Sequence, residues 1–268
     1  MHSVMSYLAS KLASVYIEEK AEGREYSHDY INKVRQRFTK SLESNIIGNH
    51  IRYASFLFCN GEYDEACKYF DFIEHLKYED IESNLVYQLY VSPSDSLAMQ
   101  IAKKPHEQTF KQSSSVFWIF GPEAAMCVPA FLRCEMYQGR VGTFTTNNVV
   151  LYSMYDFIRV QIQPYLYYLQ YITYRVLHQE HKQYEALLKF LIFTEINKST
   201  RFLSSKNDGV CGFFDTSLNM LGHCLELEQK LESAWETYTT SLQMQPGHNA
   251  AILHITRLLS QVFQSVRA

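Results

Sequence analysis

All six prolines of this 268-residue chain lie at or after position 93, so its first 92 residues lack the residue that most reliably breaks a helix. Apolar residues in that stretch recur at helical spacing. Residues 4–21 carry Leu8, Leu12, Val15 and Tyr16 on one predicted face, Gly23 breaks the pattern, and 28–42 resumes it with Tyr30, Ile31, Val34 and Phe38. The stretch from Asn49 to Asp80 is sharper. Tyr53, Ala54 and Leu57 form a first stripe, Asn60-Gly61 supplies a left-handed helix cap, and Tyr63, Ala66, Cys67, Phe70 and Ile73 form a second stripe. Two antiparallel helices with so short a turn make an αα-hairpin. Each is too short to be stable alone in water, so the pair must bury its stripes against neighbours.

The chain closes on a second unit of this kind. In SLNMLGHCLELEQKLESAWETYTTSLQMQP, Leu218, Leu221, Gly222 and Leu225 share a face of one helix. Leu231, Ala234, Tyr238 and Ser241 share a face of the next, which Pro246 stops. Gly222 and Ala234 are small where two helices would cross, and larger side chains there would hold the backbones apart. Asn249 caps a last helix with Ile252, Ile255, Leu259, Val262 and Phe263. This order of large and small residues resembles the tetratricopeptide (TPR) pattern. Leu218, Leu221, Gly222, Leu225, Ala234, Tyr238, Ser241 and Pro246 fall at the eight signature offsets of one 34-residue repeat, with Ser241 standing in for alanine. In the earlier unit Tyr53, Ala54, Leu57, Ala66 and Phe70 fit, while Ile73 and Tyr78 replace the late small residue and the proline. A degenerate third unit over 167–198 puts Thr173, Leu177, Ala186, Phe190 and Phe193 in the corresponding places. The alanines at 66, 186 and 234 are 120 and 48 residues apart, not multiples of 34. The resemblance therefore implies diverged helix pairs with insertions, residues 199–215 being the clearest inserted loop.

The middle of the chain is less periodic. Ser92-Pro93 predicts the start of a short helix that Pro105 ends. SVFWIF at 115–120 reads as a buried extended segment, Gly121-Pro122 breaks it, 128–138 reads as a helix, and 139–148 as a polar loop. Residues 149–196 are helix-prone throughout, with Pro164 opening a new helix. The whole of 40–265 also resembles the C-terminal helical region of invertebrate Mab (male-abnormal) nucleotidyltransferase-like proteins, relatives of the cyclic GMP-AMP synthase. The residues that carry this are CNGEYDEACKYFDFIE, CVPAFLRCEMY at 127–137, and LGHCLELEQKLESAWETYTTSLQMQPGHNAAILH. The resemblance implies a regulatory or oligomerising region of a larger signalling protein. The catalytic half is not expected here: there is no Gly-Ser dipeptide to turn over a phosphate and no spaced carboxylate set for two metal ions.

Net charge is −3, so no overall basic field attracts phosphate backbones, and nucleic acid is not an expected partner. Six cysteines without a CxxC motif point to reduced thiols in an intracellular, cytoplasmic protein. The start of the chain lacks the basic region of a signal peptide, and no run is apolar enough to predict a membrane helix. His178 and His181 are spaced like two metal ligands, and Cys211, His223 and Cys224 form another loose cluster. Neither reaches a full ligand set, and solvated or core positions explain them more simply. Cys67 falls on a core-facing stripe, where a thiol is inert. In PYLYYLQYITY, Tyr167, Tyr171 and Tyr174 share a stripe that suits either core packing or an aromatic groove for a peptide.

The expectation is an all-α chain of TPR-like antiparallel helix pairs, forming a short irregular solenoid or a helical bundle. Residues 1–45 supply N-terminal helices that pack on a repeat domain over 46–268. Its helix pairs are placed at 47–78, 167–198 and 215–246, with a closing helix at 249–265. The function expected is binding of a protein or peptide partner, with self-association open, without catalysis, cofactor or metal. The rival reading is an accessory region that helps a nucleotidyltransferase-like immune sensor bind a nucleotide or nucleic acid.

Overall fold

In the computed structural model, which describes residues 2–24, 27–44, 46–75, 94–105, 117–140, 157–208, 213–247 and 249–267, the proline-free start is helical as its spacing requires. It forms α1 (His2–Ala21), α2 (His28–Leu42), α3 (Ile47–Cys59) and α4 (Tyr63–His75). A short α5 (Asp95–Ala102) follows, capped by Ser94, whose side chain accepts from Leu97 N at 3.2 Å. The second half adds α6 (Ile162–Val176), α7 (Glu180–Asp208), α8 (Phe214–Leu227), α9 (Leu231–Met244) and α10 (Ala251–Arg267). The described residues are mostly helical, with one two-stranded antiparallel sheet, β1 (Phe117–Phe120) and β2 (Ile158–Gln161), pairing Trp118 with Val160. No helix among them is long and apolar enough to cross a membrane.

Consecutive helices pack as hairpins: α1 with α2, α3 with α4, α6 with α7, α8 with α9. The first helix of each hairpin touches the first helix of the next, and each second helix touches the hairpin that follows; α9 meets α10. The joints are chemically alike. Gly61, His178 and Gln229 all have left-handed backbones, at φ 84°, 55° and 59°. Around them Glu62 N donates to Leu57 O, Gln179 N to Tyr174 O and Lys230 N to Leu225 O, each at 2.9 Å. Those bonds satisfy carbonyls that a helix end otherwise leaves orphaned. Only Gly61 sits there without a Cβ penalty, which for other residues is about 1–2 kcal/mol. Gln229→Gly is therefore expected to raise stability by about 1 kcal/mol, read as an upward shift of the urea midpoint at unchanged slope.

Counting from these left-handed residues corrects the third unit. Ala66 and Ala234 each lie five residues after their turn, and the residue five after His178 is Gln183, not Ala186. The predicted register of that unit is thus off by three, and Leu177 is the cap of α6 rather than a core position within it. The other signature residues, Tyr53, Ala54, Leu57, Ala66, Phe70, Leu218, Leu221, Leu225, Ala234 and Tyr238, are buried, and Pro246 is exposed just past the end of α9. Gly222 lies on α8 against the Tyr238 ring.

Several further expectations fail for identifiable reasons. On α1 the buried face is Ser6, Ala9, Ser10, Ala13, Ser14 and Ile17, while Leu8 and Val15 are 42% exposed. Small residues let α1 approach closely, and Ser14 Oγ accepts from Met126 N at 2.9 Å. Residues 158–161 are strand rather than helix, because Ile158 and Val160 cover the core while pairing with β1. The 128–138 stretch is a 3-10 helix, Ala130–Arg140, whose i,i+3 row buries Leu132 and Glu135. Residues 199–208 continue α7 instead of forming a loop. Positions 92, 93, 115, 116 and 141–148, which figure in the predicted middle segments, lie outside the described residues. So do Tyr78 and Cys211.

Candidate functional site

The sides of α1, α3, α6 and α8 that face one way are covered by the chain itself, through β1, β2 and the 3-10 helices Pro122–Cys127 and Ala130–Arg140. Ser55 Oγ donates to Cys127 O at 2.6 Å. The Arg52 guanidinium lies 4.5 Å from the Trp118 ring centroid and donates to Ile119 O at 3.3 Å. Burial pulls its pKa down to about 10. This face is closed to a partner in the structure.

The tyrosine stripe belongs to the same interior. Tyr171 is fully buried and donates to Cys224 O at 3.2 Å and Glu228 Oε1 at 2.6 Å. Tyr174 is buried edge-on to Phe70, and the half-buried Tyr167 accepts from Gln163 Nε2 at 2.8 Å. Of the two readings of Tyr167, Tyr171 and Tyr174, core packing is the one their burial fits; Tyr174 alone borders a small cleft of about 90 Å³, between α4, α6 and α7.

A concavity of about 640 Å³ instead opens between the end of α2, α3 and α4, lined by Thr39, Leu42, Glu43, His50, Glu65, Lys68, Tyr69 and Phe72. Its volume lies in the range of ligand sites, and its walls are mainly apolar. Helical spacing places its wall: Glu65, Lys68, Tyr69 and Phe72 recur at three and four residues along α4. The Tyr69 ring is braced edge-on against Tyr53 at 4.8 Å, and Tyr53 packs in turn on Phe38. Asn49, the neighbour of His50, ties α3 to the end of α2 by donating to Ser41 O at 3.1 Å. The same clasp recurs where Asn249 donates to Ser241 O at 2.9 Å. At the rim Lys68 pairs with Glu65 at 2.6 Å, both exposed.

His50 is 3% exposed, and among the described residues its two ring nitrogens have no hydrogen-bond partner. Phe72, 44% exposed, lies across it with ring centroids 4.9 Å apart. Burial lowers the His50 pKa to about 4, so the imidazole is neutral near pH 7. Burial, with Arg257, His254 and Arg175, lowers His223 to about 3. A histidine with a depressed folded-state pKa binds fewer protons folded than unfolded between that value and 6.5. Stability is therefore expected to fall as pH drops from 6.5 towards 4, and His50→Leu to flatten that slope. Urea midpoints measured across this window would show a parallel slope in both proteins were His50 not involved.

The other candidates resolve differently. His178 occupies the α6–α7 joint and His181 is exposed on α7. His223 accepts or donates at Tyr168 OH, 2.8 Å away, and stacks on Phe131 at 3.8 Å, whereas Cys224 is buried. Among the described residues no three His, Cys, Asp or Glu side chains are grouped to hold a metal. Burial raises the Cys67 thiol to about 11, keeping it protonated and unreactive.

Sequence reasoning missed a buried polar cluster beneath α10. Glu135, fully buried, accepts from Asn219 Nδ2 at 2.9 Å and lies 3.6 Å from His254 Nε2. His254 and His223 both stack on the Phe131 ring, with centroid distances of 4.1 and 3.8 Å. Glu226 and Arg257 form an ion pair beside them. Through Asn219 and Glu226 on α8, Glu135, and His254 and Arg257 on α10, the cluster ties α10 to α8. Comparison of the chain with protein-family profiles, with curated proteins and with solved structures gives no match.

Proposed function

We propose that the chain is a TPR-like scaffold of stacked helical hairpins that binds a protein segment in the concavity between α2, α3 and α4. The observation that carries this reading is the concavity itself: apolar walls at Leu42, Tyr69 and Phe72, a charged rim, and a neutral imidazole beneath Phe72. Such a site takes an apolar side chain as anchor, with the partner backbone crossing the rim. The side chain of Phe72 is the movable part. Swinging it away from His50 gives the imidazole a polar partner from the incoming segment and relieves the cost of burying it unpaired.

The stacking order of the hairpins, the shared left-handed joints and the Gly222–Tyr238 contact support the TPR-like part of the proposal. The resemblance to Mab nucleotidyltransferase-like proteins is the ground for proposing that this binding region belongs to a larger signalling protein. Selection of peptides from a random displayed library against the purified chain tests the binding claim. Peptides with a large apolar anchor should be enriched and should lose at least about tenfold in affinity for a folded Leu42→Asp, Phe72→Asp variant. Enriched peptides that bind wild type and variant equally would place the binding surface elsewhere.

A further inference from the structure

We infer that α7 carries a second, separate interface, through which two copies of this chain pair. Tyr184, Leu188, Ile192 and Ile196 follow one another at four-residue steps and are between 51 and 71% exposed. The opposite side of α7 buries Gln183, Ala186, Leu187, Phe190 and Thr194 in the stack of hairpins, so the row is not a core face left open by an error of phase. A row of large apolar residues at four-residue steps is a ridge about 18 Å long. Ridges of this type pack into the grooves beside a ridge of the same type at a crossing of about −50°. A second copy supplies that ridge by symmetry, because a two-fold contact uses one patch twice.

The area and the charges agree with that occupant. Covering the four side chains completely would remove roughly 450 Å² from each copy and roughly 900 Å² in all, close to the lower limit for a specific association. Beside the row, Lys189 pairs within its own chain with Glu185 and with Glu74, each at 3.0 Å. That flank therefore brings paired rather than bare charges to the other copy. Trp235 on α9, 39% exposed, sits six residues after Gln229, as Tyr184 sits six after His178. The apolar surface thus continues onto the same face of a second helix.

Sedimentation equilibrium of the full chain over a wide concentration range tests the inference. Wild type should show a reversible monomer–dimer equilibrium. Leu188→Glu, Ile192→Glu, with an unchanged circular dichroism melt, should weaken it at least about tenfold. Should that pair of changes unfold the chain, Ile196→Glu alone supplies the milder version of the same comparison. A wild type that stays monomeric throughout, or a dimer that survives in a folded ridge variant, would overturn the inference. Neither result bears on the α2–α3–α4 concavity, which uses none of these residues.

Discussion

Gly222→Ala is expected to destabilise the chain by about 1–3 kcal/mol, although the same exchange in an open helix adds up to about 1 kcal/mol. The sign reverses because of Tyr238. A Cβ on Gly222 would stand 2.7 Å from Cζ and 2.8 Å from Cδ1 of that ring, too close for any carbon pair. Tyr238 is fully buried and stacked on His254 at 5.4 Å, so the ring has nowhere to retreat without disturbing α10. Tyr238→Leu should cost stability in the wild type and less in the Gly222→Ala background, where it also removes the clash. A double-mutant cycle from urea midpoints reads the difference. If Gly222→Ala proved as stable as wild type, the close approach of α8 and α9 would not be what holds this hairpin together.

Glu135→Ala is expected to cost about 3 kcal/mol, because it removes the acceptor from a fully buried polar cluster and leaves its partners unsatisfied. Asn219 Nδ2 would lose an acceptor at 2.9 Å, and His254 the carboxylate 3.6 Å from its Nε2. Glu135→Gln keeps an oxygen for Asn219 and should cost clearly less. The ordering of the two variants by chemical denaturation is the informative quantity. An alanine variant within about 1 kcal/mol of wild type would mean that water enters the cluster and replaces the carboxylate.

The hairpins were legible in the sequence wherever apolar periodicity and a small residue coincide. The α3–α4 joint was marked by Asn60-Gly61, and the α8–α9 crossing by Gly222 and Ala234. The α6–α7 joint carries no glycine: His178 takes the left-handed backbone, so nothing in the local sequence announces the turn, and Ala186 drew the register away from Gln183. The buried face of α1 escaped because it is built from serine and alanine, which a search for large apolar residues ignores. β2 escaped because four residues are too few to establish alternation, and its partner β1 is far away in sequence. The concavity was not legible either. His50 becomes a floor residue only once α2 and α4 flank it, and the tyrosine stripe drew attention to a surface that the fold buries.

Hydrogen exchange of backbone amides, with and without an anchor peptide from the selection, tests most directly where the scaffold binds. Added protection is expected at the end of α2 and along α4, with α6 and α8 unchanged. Protection along α6 and α8, accompanied by faster exchange in β1 and β2, would contradict this. That pattern would mean the partner displaces the chain's own cover and binds the inner face of the hairpins.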